Sequence, residues 1–207
     1  MGVPKRYWRV GIPLAVIAML IGAVSAVTLI RLRSTNTVQE NSQLVTPEKV
    51  EIVAEIVKPG LPVQLMIPKI SVDASIVGLG LTPEGDLDTP DGPEKSGWYN
   101  AGPRPGAIGS AVIDGHFGWK DNKSAVFDKL HTLLKGDMIY VKDENKVTHT
   151  FIVSGLRSFQ PDEDATTVFL SNDNNSHLNL ITCQGTWNQN QDSYSTRLVV
   201  FADILVK

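Results

Sequence analysis

Cysteine is nearly absent from this sequence, and basic residues are scarce beyond its first 33 positions. Cys183 is the only cysteine among 207 residues, so no intramolecular disulfide can form and stability must come from the core. Five of the 19 Lys and Arg residues lie in residues 1–33, which contain no acid, so residues 34–207 hold 14 basic and 22 acidic residues. That excess of negative charge argues against nucleic acid as a partner.

Familiar metal-ligand spacings are missing as well. The sequence contains neither CxxC nor HExxH, the spacings typical of zinc sites. The acidic run PDEDATT at residues 161–167 has the composition of a calcium loop or of a solvated surface loop, and we favour the surface loop. No metal or cofactor is therefore expected.

One long apolar run is present near the N-terminus. Residues 11–30 contain no charge, and a helix of that length rises about 30 Å, the thickness of a bilayer's hydrocarbon core. Three basic residues precede the run and two follow it, a bias toward a cytoplasmic N-terminus. We expect residues 1–33 to form a cytoplasmic tail and a transmembrane helix that anchors an extracellular domain. A cleaved signal peptide ending at residues 24–26, Val-Ser-Ala, is the alternative.

Beyond the predicted anchor, a polar stalk precedes a region of strand patterns. Residues 34–60 begin with STNTVQENSQ and include residues 46–57, which fit a short helix or, alternatively, a strand. In residues 61–207, short apolar runs alternate with Pro, Gly and polar turns, which predicts an all-β domain with short helices, namely one closed or nearly closed β-barrel. We expect strands at 63–67, 72–79, 107–116, 137–141, 146–156, 178–183 and 197–206, and a helix at 124–133.

The lone cysteine lies where a strand pattern stops. In LNLITCQGTW, Leu178 and Leu180 alternate with Asn179 and Ile181, and the alternation ends at Cys183. A small buried hydrophobe is the ordinary interpretation of an isolated cysteine. A nucleophilic thiol needs a base or a cation beside it, so the histidines and arginines decide between the two interpretations.

Four histidines are candidate partners for the thiol. His116 ends the apolar run SAVIDGH, at the junction of a strand and a loop, as Cys183 does. His177 has the same strand parity as Cys183, but six residues of strand would separate the two by roughly 20 Å. His131 and His149 lie in a predicted helix and in mid-strand, where surface or packing roles are the default. His116 is therefore the preferred partner.

Three arginines are candidates for stabilising negative charge on a carbonyl oxygen during acyl transfer. Arg197 opens the last predicted strand, fourteen residues after Cys183, and antiparallel pairing of the two strands would bring them together. Arg104 lies in a Pro- and Gly-rich loop and Arg157 at the end of a strand pattern, where surface positions are expected. Arg197 is the preferred candidate, and Arg157 is its competitor.

Taken in order, these segments resemble the sortases, membrane-anchored cysteine transpeptidases of Gram-positive cell surfaces. LITCQG, with RLVVFA fourteen residues after the cysteine, resembles their active-site strands, and SAVIDGHFGWKDNKSAVFDKLHTLLKGDMIYV resembles their histidine region. IPKISVDASIVGLGL and GWYNAGPRPGAIG resemble earlier parts of the domain. The similarity covers roughly residues 61–206, and the GWY and TC.G elements are most similar to class F.

This resemblance implies a sortase-type barrel with Cys183 as nucleophile, His116 as the acid for the leaving amine and Arg197 as the oxyanion donor. Thr182 would help to line the substrate groove. The implied reaction cleaves an LPXTG-type sorting signal after its threonine and holds the acyl part as a thioester. It then transfers that part to an amine of a cell-wall precursor or of another protein, without a metal or a cofactor.

Two other functions are compatible with the sequence. One is a catalytically idle surface barrel that binds a peptide, and the other is a cysteine peptidase that hydrolyses the same acyl-enzyme. The intact set of Cys183, His116 and Arg197 argues against the idle barrel.

Overall fold

The computed structural model of the chain describes residues 58–189 and 193–206. The predicted membrane anchor within residues 1–33 lies outside the described residues, as do the predicted stalk and helix up to residue 57. Within the two described ranges, no helix is long and apolar enough to cross a membrane.

Eight strands lie within the described ranges, and they close into one barrel, which confirms the predicted all-β fold. In chain order the strands are β1 (Pro62–Ile67), β2 (Val72–Leu79), β3 (Ser96–Tyr99), β4 (Gly109–Gly115), β5 (Met138–Asp143), β6 (Thr148–Phe159), β7 (Ser176–Asn188) and β8 (Ser193–Ile204). The helical elements are short: α1 (Thr166–Phe169) and 3-10 turns at Pro68–Ile70, Lys120–Asn122 and Leu130–Thr132.

Neighbouring strands follow the order β1-β2-β3-β4-β7-β8-β6-β5, and β5 pairs again with β1. The β2–β3 and β4–β7 pairs are parallel, whereas the remaining pairs are antiparallel. Strand β7, which carries the cysteine, therefore lies between β4, which leads into the histidine, and β8, which carries the arginine.

Alternation along β7 distributes its side chains over the two faces of the barrel wall. Leu178 and Leu180 are fully buried in the main apolar cluster, inside the barrel. Ile181 has the opposite parity and packs in a second buried cluster on the outer face, together with Val199 and Phe159. Loops and α1 cover this outer cluster, so polar groups next to it are partly removed from water.

One predicted helix is wrong. Residues 124–133 form turns and a single 3-10 turn at Leu130–Thr132. The Asp128 carboxylate accepts hydrogen bonds from the backbone N–H groups of Gly118 and Ala125, at 2.6 and 3.0 Å, which stabilises a turn in place of a helix.

Two short elements have no counterpart in the predictions. Strand β3 has only four residues, all of them buried, so it shows no alternation that a pattern search could detect. Helix α1 begins inside the predicted surface loop at residues 161–167. There the Asp164 carboxylate accepts from both the backbone N–H and the hydroxyl of Thr166, at 2.8 and 2.6 Å.

Candidate active site

Cys183 lies inside β7, not at its end as predicted, because the strand continues to Asn188. The neighbouring strand β4 ends close to this position, because its ladder with β7 stops at the pair Asp114–Ile181. The β7–β8 register shifts just beyond the thiol, where the Gly185 backbone has a φ of +90°. Cys183 therefore lies where the regular barrel wall gives way to loops.

His116 directly follows β4, the strand adjacent to that of Cys183. Asp114 and Ile181 are the last partners in the parallel β4–β7 ladder, and His116 and Cys183 each follow two residues later in the chain. Because adjacent strands lie about 4.8 Å apart, this places the backbone of His116 in the neighbourhood of Cys183. The His116 Nε2 donates to the Pro90 carbonyl at 2.8 Å, which leaves Nδ1 as the acceptor in the neutral ring.

Thr182 fixes the backbone just before the histidine. Its buried hydroxyl donates to the Gly115 carbonyl at 2.7 Å. Gly115 in turn packs so closely on Phe127 that a Cβ at this position would lie 2.5 Å from Phe127 Cδ2, and the Phe127 N–H donates to the His116 carbonyl at 3.0 Å. Thr182 is thus a positioning residue, while the substrate-lining role that the resemblance implies for it stays a prediction.

Arg197 lies on the other side of Cys183. The two residues are direct partners in the antiparallel β7–β8 ladder, so their side chains share a face with Cβ atoms about 4.5–5.5 Å apart. Arg197 is 6% exposed, and its guanidinium donates to the Tyr194 and Thr196 carbonyls at 3.2 Å and to Ser193 Oγ at 3.4 Å. These bonds hold the cation in place before any substrate arrives.

Burial controls the ionisation of the thiol. It raises the pKa of Cys183 to about 11, because the thiolate is poorly solvated there; the Arg197 cation partly offsets this, and the Asp114 carboxyl adds to it. The resting thiol is therefore neutral near pH 7. Attack on a carbonyl requires the thiol proton to move, and the neighbouring imidazole is a side chain suited to take it.

The other histidines lie away from the thiol. Strand β7 is continuous between His177 and Cys183, so about 20 Å separates them, and His177 bonds instead to two acidic side chains at 2.7 and 2.9 Å. His149 Nε2 lies 3.3 Å from the buried Asp143 carboxylate, and His131 is exposed in a 3-10 turn. His116 is thus the histidine that the structure brings to Cys183.

The two competing arginines are engaged elsewhere. Arg157 pairs with Glu163 and lies over the Phe159 ring, with its guanidinium carbon 4.3 Å from the ring centroid. Its side chain is 54% exposed. Arg104 donates to the Pro59 carbonyl at 2.9 Å. Neither is a ladder partner of the cysteine, as Arg197 is.

An aromatic cluster that sequence analysis missed borders the site. Phe117 and Trp187 each contact Tyr194 edge-to-face, with ring centroids 5.5 and 5.1 Å apart, and Trp119 contacts the His116 ring at 4.7 Å. Burial, and next the nearby thiol, raise the pKa of the Tyr194 phenol, as expected for a group close to the cysteine. The letters FGW after the histidine indicate two of these rings. Trp187 and Tyr194 join them because the β7–β8 register shifts, and no sequence pattern predicts that shift.

The arrangement is suited to acyl transfer. A thiol is the ladder partner of a fixed guanidinium, and an imidazole follows the adjacent strand; these are the groups that covalent catalysis and oxyanion stabilisation require. Within residues 58–189 and 193–206, no group of three or more His, Cys, Asp or Glu could hold a metal ion.

Comparison with known proteins gives a consistent result. A family model described as Sortase domain matches residues 65–205. No curated protein sequence matches the chain.

Solved structures of sortases share the fold. Sortase C-1 from Actinomyces oris is 24% identical with a TM-score of 0.56, and the alignment covers 73% of this chain and 77% of that one. Sortase A from Corynebacterium diphtheriae is 24% identical with a TM-score of 0.55, covering 72% of this chain and 63% of that one. Sortase C1 from Streptococcus agalactiae is 23% identical with a TM-score of 0.54, covering 70% and 67%.

Proposed function

Because the chain belongs to the sortase family, we propose that it is a membrane-anchored cysteine transpeptidase. Its substrates are surface proteins that carry an LPXTG-type sorting signal, and its acceptor is an amine of a cell-wall precursor or of another protein. Residues 11–30 anchor it as a single span, with the N-terminus cytoplasmic and the barrel outside the cell. The long uncharged run and the basic residues before it support this orientation.

In the first half-reaction, Cys183 attacks the carbonyl carbon of the signal's threonine. His116 takes the thiol proton as the carbon–sulfur bond forms, so that the buried thiolate is not a free intermediate. Arg197 donates to the carbonyl oxygen, on which the negative charge develops. When the carbon–nitrogen bond breaks, His116 gives the proton to the leaving amine and a thioester remains on Cys183.

In the second half-reaction, the acceptor amine attacks the thioester carbon. Its proton passes to His116 and a new amide bond forms as the carbon–sulfur bond breaks. His116 then gives the proton to the departing sulfur, which regenerates the Cys183 thiol. Arg197 stabilises the second oxyanion as it did the first. The reaction exchanges one amide bond for another, so it consumes no oxidant, reductant or nucleotide.

A single observation carries this proposal: Cys183 and Arg197 are partners on adjacent strands, and His116 directly follows β4, the strand on the other side of β7. The β4–β7 register supports the histidine's place and the β7–β8 pair supports the arginine's place. The buried setting of Arg197, and the bonds that orient it, support a fixed electrostatic role. A class F assignment rests on the GWY and TC.G elements of the sequence alone.

The test is a peptide assay with and without an amine acceptor, using Cys183→Ala as the control. A transpeptidase cleaves an LPXTG-type peptide and joins its acyl part to the added amine. A hydrolase releases the free acid whether or not the amine is present. An idle peptide-binding barrel retains the peptide uncut. Cleavage by Cys183→Ala would contradict the assigned nucleophile.

A further inference from the structure

Asp114 is an acidic side chain near His116, Cys183 and Arg197 that the reaction as described does not use. It lies on β4, two residues before His116, which directly follows the strand, and it has the same parity as Val112, whose side chain packs in the outer cluster. Its ladder partner on β7 is the buried Ile181. The Asp114 carboxyl thus lies on the outer face of the barrel, level with Ile181, two residues before Cys183 along β7.

The strand on the other side of Asp114 carries a glycine at the paired position, and other side chains fill the space above it. The partner there is Gly97 on β3, where a Cβ would overlap the Leu79 side chain and lie 3.5 Å from the Pro90 ring. Pro90 belongs to the loop that also accepts the His116 hydrogen bond. Loop and strand together shield Asp114 from water, and this burial raises the pKa of its carboxyl to about 7.

The charged and titratable groups that face Asp114 come from each element packed against it. Arg197 of β8 is the cation that favours its ionised form, and Asp88 of the covering loop disfavours that form. On β7, the thiolate form of Cys183 is disfavoured by the Asp114 carboxylate and favoured by the Arg197 cation. His116 directly follows the end of the same strand. Two groups that can carry a negative charge therefore share one buried cation.

We propose that Asp114 and Cys183 compete for the positive charge of Arg197, so that the protonation of Asp114 sets how readily the thiol ionises. Only one negative charge at a time is well balanced by a single guanidinium in a poorly solvated site. A protonated Asp114 leaves Arg197 to the thiolate, and an ionised Asp114 opposes the thiolate. Asp114 thus acts on the thiol through its charge and does not itself touch the substrate. Its relevance to catalysis rests on the proposed function.

The test measures the ionisation of the thiol without any substrate. Iodoacetamide reacts with the thiolate, so its rate of reaction with the single cysteine reports the thiolate fraction as pH is raised. We compare the unaltered full chain with Asp114→Asn. Asp203→Asn is the matched control, because Asp203 lies on the same face of β8, six residues from Arg197.

We expect Asp114→Asn to move the midpoint of the alkylation profile down by about one pH unit, which is about a tenfold faster reaction at a fixed pH below the midpoint. Asp203→Asn should leave the midpoint in place. An unchanged or higher midpoint in a folded Asp114→Asn would overturn the proposal.

The unaltered protein provides a second measurement that does not depend on the variant folding. The carboxyl ¹³C signal of Asp114 gives the pH range in which it titrates. If the two groups are coupled, the logarithm of the alkylation rate rises less steeply with pH across that same range. A profile with one uniform slope through that range would contradict the coupling. Because alkylation needs no peptide, these results are separate from whether the chain transfers sorting signals.

Discussion

Replacing Asp114 by Asn should remove a pH-dependent loss of stability that the partly buried carboxyl imposes on the barrel. Burial, opposed by the Arg197 cation and the Gly115 N–H, raises the pKa of Asp114 from 3.8 to about 7 in the folded protein. At about 1.4 kcal/mol per pH unit, ionising this group in the folded state costs about 4 kcal/mol more than in the unfolded chain.

The sign follows from which state binds the proton. Below about pH 4, Asp114 is protonated in both the folded and the unfolded states, so its full contribution to stability is present. As pH rises through about 7, the folded state must give up a proton that the unfolded state has already lost, and that contribution disappears. The unaltered protein therefore loses stability over this interval, whereas Asp114→Asn has no such loss from this group.

The assay is urea unfolding followed by tryptophan fluorescence, near pH 4 and again near pH 8.5. The free energy of unfolding of Asp114→Asn, relative to the unaltered chain, should rise by about 4 kcal/mol between the two conditions. Asp162→Asn, at an exposed position, serves as the control and should show a far smaller change. An equal difference at both pH values would refute the argument that ionising this partly buried carboxyl destabilises the barrel.

Three further predictions test the candidate catalytic residues and the residue that supports them. His116→Ala should lower kcat by about 10²- to 10⁴-fold, because it removes the proton carrier, while His177→Ala should retain most activity. Arg197→Gln should lower kcat by about 10²- to 10³-fold with little change in KM, since the guanidinium acts on charge that grows after binding, and Arg197→Lys should recover part of the loss. Thr182→Val should lower the free energy of unfolding by about 1–3 kcal/mol, because the Gly115 carbonyl loses its buried donor.

Each of these predictions can be contradicted by a specific result. Equal loss of activity in folded His116→Ala and His177→Ala would mean that the histidine is wrongly assigned. A silent Arg197→Gln beside an inactive Arg157→Gln would transfer the oxyanion role to Arg157. Thr182→Val with unchanged urea midpoint and unchanged kcat would show that the Gly115 bond does not position the histidine. Steady-state kinetics on one peptide and urea unfolding supply all of the measurements.

The fold was predictable where side chains alternate over a long enough run. Leu178 and Leu180 against Ile181 define the two faces of β7, and the structure buries them in separate clusters. Strand β3 escaped prediction because its four residues are all buried. The predicted helix at 124–133 was wrong because the Asp128 carboxylate satisfies backbone N–H groups in a turn, a local competition that apolar spacing does not reveal.

The sequence indicated which residues to consider for the candidate site, but it did not indicate the side chains that surround them. Strand-end placement indicated His116, and antiparallel pairing indicated Arg197 beside Cys183. Asp114 attracted no notice in SAVIDGH, because its importance depends on Gly97 facing it from β3, a pairing distant in sequence. The same holds for the aromatic cluster, since its contacts depend on a register shift between strands. Long-range pairing, not residue type, was the missing information.

The most direct test of the central claim is the intact mass of the full chain after incubation with an LPXTG-type peptide in the absence of an amine. We predict a mass increase equal to the acyl part of the peptide, mapped to Cys183 and labile to hydroxylamine as a thioester is. Addition of an amine should discharge it into a peptide that carries the new amide bond. An unmodified Cys183 after the peptide has been cut, or an adduct that no amine removes, would contradict transpeptidation through this thiol.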